Sequence, residues 1–419
     1  MNLPFRYDWL PPVDADAIPH LTIAELGEDP ILPEPDILDA LASPFGSLPL
    51  CDALRERNAQ SVLFLVDDLT RSTPQDRILH TLIQYVESCG IQRNRMTVLV
   101  ATGLHRKMSR EEIQKRFGAE VADTVRVVNH DAFDESSLVQ VGVDAANVPV
   151  TVNTLIKEND FTIAVGQISP HRVAGFSGGA KMIEPGICGA PITSSIHWRG
   201  WITEPERLYG KIENPIRHEM EEIAEKAGLD FIVNVVLDEN DRIAKFFAGD
   251  FRKAFREGAS ESMRRRVRDV PRADIVIADS YPYDIDLWQA CKAISVAELA
   301  VKPGGTVILV TPCDEGLSSH SEEIRKSGYL PMQEIIERTE RGEIPRYIAC
   351  HLMAFGRILE RGYLSVVTLP KNVSIFASAG LPCAENVNEA LATAYAHSGS
   401  DAKVLFLRGA AGIIPHVNE

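Results

Sequence analysis

Short uninterrupted apolar runs, each ending in a polar loop and followed by a helical pattern, recur along this chain and leave it few folds. The run SVLFLVD (Ser61–Asp67) shows no alternation, so it reads as a strand buried on both faces. It passes into Asp68-Leu69-Thr70-Arg71-Ser72-Thr73-Pro74, and a helix is expected from Pro74 to Ser88, with proline in its first turn and hydroxyls ready to cap it. RMTVLVA (Arg95–Ala101) repeats the pattern. It runs into Thr102-Gly103-Leu104-His105-Arg106-Lys107 and then a helix from Ser109 to Phe117, where Ser109 and Glu112 have capping-box spacing. Val125–Asn129 and Thr162–Gly166 read as further strands. Strands alternating with helices imply an α/β domain with a largely parallel sheet. In such sheets ligands collect beyond the carboxyl ends of the strands. Asp67, Asp68, Arg71 and His105 all stand there, although a capping turn with an Asp–Arg pair and a surface histidine are the plainer readings of these residues.

Residues 1–60 look like a lead-in that packs as an arm, with one short strand and a helix around Pro35 to Ala42. Downstream, a helix from Glu213 to Ala227, the strand Phe231–Leu237 and a basic helix from about Phe251 to Arg268 are expected; its MRRRVR run fits a solvated face or a brace between domains. Pro271–Ala278, the loop Asp279–Trp288, a helix from Gln289 to Val301, the turn Lys302-Pro303-Gly304-Gly305 and the strand Thr306–Thr311 resemble a Rossmann-like β-α-β unit. Helices Ser321–Lys326, Pro331–Arg341, Arg346–Glu360 and Asn386–His397 follow, with strands Leu364–Leu369, Val373–Phe376 and Val404–Leu407. The expected organisation is two α/β domains: residues 1–270, with most of the candidate chemistry on a largely parallel sheet, and residues 271–419, Rossmann-like. The active site would lie in the cleft between them, and the tail 409–419 is free to pack back on the first domain.

Composition narrows the function. With 45% hydrophobic and 24% charged residues the chain is that of an ordinary soluble protein. A net charge of -16 argues against non-specific binding to nucleic acid or anionic membranes, while a few local cations can still hold an anionic substrate. No signal peptide and no apolar run of membrane-spanning length is visible. The 7 cysteines are scattered, with no CxxC pair, which fits reduced thiols in the cytoplasm and argues against a disulfide framework.

The densest chemistry lies in Ile168–Trp198, ISPHRVAGFSGGAKMIEPGICGAPITSSIHW. Glycine and proline are too frequent there for most of it to be regular structure. Gly175, Gly178 and Gly179 permit close backbone approach to a bulky or anionic ligand. Lys181 can pair a phosphate, form a Schiff base or be acylated, and a solvated surface lysine is the plainer alternative. GFSGGAKM is not a Walker A loop, because it lacks the glycine before the lysine and the hydroxyl after it. His197, sixteen residues beyond Lys181, is a candidate metal ligand. One histidine cannot make a zinc site, so the remaining ligands of any metal there would come from something other than protein.

DDLTRSTP, GLHRK, SPHRVAGFSGGAKMIEPGI, SSIHW and WQACK together resemble the nickel-dependent lactate racemase family, from about Asp67 to Lys292 in motifs. The resemblance implies a nickel-pincer nucleotide, the nickel complex of pyridinium-3,5-bisthiocarboxylic acid mononucleotide, attached through a thioamide at Lys181 and with nickel ligated by His197. It implies a racemase or epimerase of lactate or a related 2-hydroxy acid, acting by reversible hydride transfer through a 2-oxo acid. His105 and His171 match its two proton-transfer histidines, and Arg71, Gln289 and Lys292 its substrate-site residues. Asp68 matches an acid that contacts the cofactor, and Gly178 and Gly179 belong to the loop that would approach it. Two departures bear on substrate: Trp288 stands where tyrosine is expected beside Gln289, and Ser72 replaces a proline. Two other classes stand beside this reading: a non-catalytic cofactor carrier or sensor, and a pyridoxal-type Schiff-base enzyme using Lys181.

Overall fold

The computed structural model describes residues 1–27 and 35–418. In chain order, its two principal sheets use β1 (Leu21–Ala24), β2 (Val62–Val66), β3 (Met96–Val100), β4 (Arg126–Asn129), β5 (Phe161–Gln167), β6 (Phe231–Leu237), β7 (Ile243–Gly249), β8 (Ala273–Asp279), β9 (Val301–Val310), β10 (Tyr363–Val367), β11 (Cys383–Ala384) and β12 (Val404–Leu407). One sheet runs β7-β6-β5-β2-β3-β4 and is parallel except for the antiparallel pair β6–β7. The other runs β1-β12-β8-β9-β10-β11 and is parallel throughout. Strands β2, β3, β5 and β6 are buried along their whole length, as their unbroken apolar runs require of strands covered on both faces. The helix Gln75–Ser88 lays Ile78, Leu79, Leu82, Ile83 and Val86 into the same core as Phe64, Val66, Val98 and Ile163, the i, i+4 spacing keeping these side chains on one side. Among the described residues no helix is long and apolar enough to cross a membrane.

A single break near residue 270 was expected, and the structure divides the chain otherwise. One unit comprises Met1–Gly27, Trp201–Arg207 and Arg266–Glu419, and the other Glu28–Gly200 and Leu208–Arg265. The first of these units owns the N-terminal arm for a physical reason. Leu3, Val13, Ala15 and Ile18 are buried in one core with Ile277, Ile308 and Phe406, and β1 adds to β12 as a parallel edge strand. The tail also stays in that unit. Ile414–Asn418 pairs in parallel with Val267–Pro271, whose first two residues were expected to end the basic helix, which instead stops at Arg266.

Other local differences have local causes. Val373–Phe376, expected as a strand for its β-branched and aromatic residues, lies in the helix Pro370–Ser378, where proline takes the first position and Asn372 and Phe376 are buried one turn apart. Lys302–Gly305, expected as a turn, lies within β9 as an irregularity of the β8 pairing, the register stepping from Ala273↔Val301 to Ile275↔Thr306. The last third of Ile168–Trp198 is not irregular: Ala190–Ile202 is a helix, and Pro191 sits in its first turn. Cys51 and Cys89 are disulfide-bonded, with Cα atoms 5.3 Å apart, so the expectation of uniformly reduced thiols does not hold.

Asp279 ends β8 in full burial. Its Oδ1 accepts the Gly409 N–H at 2.8 Å, its Oδ2 has no partner among the described residues, and burial pushes its pKa up to about 7. A carboxyl whose folded pKa exceeds the unfolded value of 3.8 contributes most stability below 3.8 and loses it as pH rises through about 7. Asp279→Asn should therefore match the wild type in thermal melts near pH 4, gain on it steadily up to about pH 7 and keep a constant lead above; equal melting temperatures at pH 8 would contradict this.

Candidate active site

The strand order reverses at β2. Strands β3 and β4 lie to one side of it, β5 and β6 to the other, so the segments leaving the carboxyl ends of β2 and β5 part and open a crevice. The loop after β2 divides its acid pair between two tasks. Asp67 is structural: Arg116 (2.7 Å), Gln75 (2.9 Å) and the Thr73 hydroxyl (2.5 Å) all donate to it. Asp68 belongs to the site. Its Oδ2 lies 2.7 Å from Nδ1 of His105, on the loop after β3, and its Oδ1 accepts the Thr70 hydroxyl (2.5 Å) and N–H (3.0 Å). Arg71 donates to the same Thr70 hydroxyl at 2.6 Å. Burial alone would push the Asp68 pKa up, but the charge and hydrogen bond of His105, with Arg71 and Thr70, outweigh it and hold the group well below the usual carboxylate range. An ionised Asp68 keeps the proton of a neutral His105 on Nδ1, so Nε2 presents a lone pair.

The segment after β5 opens with a two-residue hairpin, Pro170–His171 against Gly175–Phe176. The N–H groups of Val173 and Ala174 both donate to Nδ1 of His171 at 3.2 Å, so the neutral ring carries its proton on Nε2. The two sequence-predicted histidines are thus set in opposite tautomers. Gly178 and Gly179 follow with φ of +76° and +58°. Their close neighbours are protein: a Cβ at Gly178 would stand 2.8 Å from Oδ1 of Asn234, and one at Gly179 3.0 Å from the Phe255 ring. The Gly179 amide already donates to Asn234 at 2.8 Å. These contacts pack the glycine loop against Asn234 and Phe255, with the Gly179 amide bonded within the protein. Fully buried Arg217 clamps the same loop, donating to the carbonyls of Ala174 (3.3 Å), Gly178 (3.2 Å) and Phe176.

Lys181 lies in the 3-10 turn that this loop feeds. Burial first, then the positive charge of Arg71, brings its pKa down to about 7, partly opposed by Glu184. A buried amine that is substantially neutral near pH 7 is a competent nucleophile for covalent attachment. His197 sits on the helix Ala190–Ile202, its Nδ1 3.0 Å from the Thr193 carbonyl one turn back and 3.6 Å from Oε1 of Glu184. That bond fixes the proton on Nδ1 and leaves Nε2 free to bind a metal, the arrangement usual for metal-bound histidines. Among the described residues no three His, Cys, Asp or Glu side chains are grouped to hold a metal ion. A metal at His197 would thus take most of its ligands from a bound group, and the donor set fits one anchored at Lys181.

Gln289, Lys292 and Trp288 belong to the other unit, on the helix Leu287–Ala300 capped by Asp286. Lys292 donates to Oε1 of Gln289 and lies 4.2 Å from the centre of the Tyr283 ring, so cation and amide are held side by side. Trp288, one turn from Lys292, stacks on the buried His351 at 4.7 Å, and His351 is bonded in turn to the Tyr329 hydroxyl at 2.7 Å. Sequence reasoning missed Glu184, Asn234, Arg217 and His351. Asn234 alone left a signal, a polar residue inside the apolar run FIVNVVL.

Two family models match the chain: lactate racemase N-terminal domain over residues 25–210 and lactate racemase C-terminal domain over residues 268–414. Lactate racemase of Lactiplantibacillus plantarum is 30% identical over 384 residues, 90% of this chain and 89% of that protein. Lactate racemase of Thermoanaerobacterium thermosaccharolyticum is 30% identical over 379 residues, 88% of each. The solved lactate racemase apoprotein of the latter organism matches with a TM-score of 0.81 at 29% identity, covering 91% of both chains. A Thermotoga maritima protein of solved structure shares the fold, with a TM-score of 0.71 at 20% identity over 88% of this chain and 96% of its own.

Replacing Arg217 by methionine would remove a donor from three carbonyls, of which those of Ala174 and Gly178 keep a backbone N–H partner. We expect a loss of about 1–3 kcal/mol in denaturant unfolding, with faster hydrogen exchange through residues 174–178. A stability within experimental error of the wild type would show that the clamp is dispensable.

Proposed function

Because this chain belongs to the lactate racemase family, we propose that it racemises or epimerises a 2-hydroxy acid, lactate or a relative of it, with the nickel-pincer nucleotide as cofactor. The observation that carries this reading is the Asp68–His105 pair beside a buried, near-neutral Lys181. In this reading Lys181 anchors the cofactor and His197 supplies a metal ligand through Nε2. When bound, the cofactor would accept and return the C2 hydrogen of the substrate as hydride.

The chain's own residues then handle the oxygen-bound proton and the carboxylate. Nε2 of His105 takes the hydroxyl proton as C2 is oxidised, and Asp68 stabilises the imidazolium that results without itself being protonated. Arg71, held by Thr70, lends positive charge to the same loop. Gln289 and Lys292 orient the substrate carboxylate with an amide donor and a cation. His171 serves the opposite enantiomer. To act as a base it must move its proton to Nδ1 against the two amides that donate there, so the two directions draw on unequal bases. Trp288, locked by His351, forms the wall met by the substrate side chain and makes a 2-hydroxy acid other than lactate as good a candidate as lactate.

Cofactor-loaded protein offered single enantiomers of D- and L-2-hydroxy acids should convert at least one of them to a mixture, followed by chiral chromatography; loaded protein that converts none would defeat the reading. Asp68→Asn should lower kcat by about 10²–10⁴-fold, the span of general acid–base contributions, with KM changed far less. An unchanged kcat would remove His105 from the proton-transfer role or Asp68 from its support.

A further inference from the structure

Glu184 has no place in the scheme so far. It follows Lys181 by three residues, is completely buried, and neither carboxyl oxygen has a hydrogen-bond partner among the described residues. A buried carboxyl with no partner is costly, and each such group in a native fold calls for a cause. Its setting provides one. Its Oε1 lies 3.6 Å from Nδ1 of His197, whose hydrogen bond goes to the Thr193 carbonyl instead. Lys181 and Arg217 are positive groups that sense Glu184. The Arg217 guanidinium is engaged with the carbonyls of the glycine loop, which leaves Lys181 as the uncommitted one of the two.

We infer that Glu184 is a positioning residue for the metal: its carboxylate faces the imidazole of His197 and supplies the negative charge that strengthens that ring as a metal ligand. The inference rests on the cofactor reading above. An acylated Lys181 carries no charge, so in the loaded protein Glu184 loses the positive charge of that lysine, and a metal held by His197 restores the balance. Thr193 and Glu184 divide the work on Nδ1. The carbonyl fixes the tautomer, and the carboxylate raises the donor strength of the ring. The Glu184 loop is held from the side by the His105 loop, through the Gly103 N–H bonded to the Gly186 carbonyl at 3.0 Å. The metal ligand and the proton-transfer loop are thereby tied to one short segment.

The test compares wild type, Glu184→Gln and Glu184→Asp, each purified from cells that make the cofactor. Intact mass reads the adduct on Lys181, elemental analysis the nickel, and absorbance the rate at which nickel passes to a chelator. The expected result is an adduct in all three, with nickel leaving Glu184→Gln at least about 10-fold faster than the wild type and Glu184→Asp falling between them, in the range seen when a carboxylate behind a metal-bound histidine is removed. Equal nickel retention by Glu184→Gln and a loaded wild type overturns this inference and leaves the cofactor reading intact. A wild type with neither adduct nor nickel overturns the cofactor reading, and this inference falls with it. If Glu184→Gln does not fold, Glu184→Asp alone decides, since it keeps the charge but sets it one methylene further from His197: nickel retention equal to the wild type would overturn the inference.

Discussion

Parallel strands deliver all their outgoing loops to the same edge of a sheet, and the chemistry of the N-terminal sheet depends on that constraint. β2, β3 and β5 lie side by side with matched registers, so the segments beginning at Asp67, Ala101 and Ile168 start from neighbouring positions. Asp68 and His105 are 37 residues apart in sequence yet 2.7 Å apart in space for this reason. The reversal of strand order at β2 adds the opening. Without it the segment carrying Lys181 and His197 would lie over the sheet edge rather than beside the Asp68 loop.

The buried charges at this edge compensate one another incompletely. Asp68 is well satisfied, with two donors from Thr70 and a third partner in His105. Glu184 is unsatisfied, and Lys181 is held near neutrality by burial and by Arg71. A fold selected for stability alone would neutralise such groups or replace them with apolar ones. Arg217 and Asn234 pin the glycine loop from behind, so that the turn at Gly178 and Gly179 is fixed before any ligand arrives.

Much of this was legible in the sequence, and the illegible parts share a cause. Unbroken apolar runs identify β2, β3, β5 and β6 because strands buried on both faces have no freedom to alternate. Asp68, His105 and Lys181 could be picked out because each follows such a run or stands in a loop too rich in glycine to be filler; His197 belongs to the same stretch but sits on its helix. What was missed depends on pairing between distant residues. The arm joins the C-terminal unit only because Leu21–Ala24 finds Val404–Leu407. The hairpin strand β7 follows a polar turn, and Lys245 near its start breaks the apolar run, so its pattern is weak. Pro370–Ser378 reads locally as strand until the burial of Asn372 and Phe376 decides for helix. Glu184 and Arg217 look like surface charges, since burial of a polar side chain is a property of the tertiary structure. The cysteine argument failed likewise: nothing in a separation of 38 residues foretells the Cys51–Cys89 bond.

The central claim is that His105 and His171 move the proton on the substrate oxygen and leave the hydrogen on C2 alone. A 2-hydroxy acid deuterated at C2, racemised by loaded protein in ordinary water, tests it directly. The account predicts that the label stays in both enantiomers of the product. Washout of deuterium in step with racemisation would mean that a base abstracts the C2 proton, and would contradict the roles assigned to these residues.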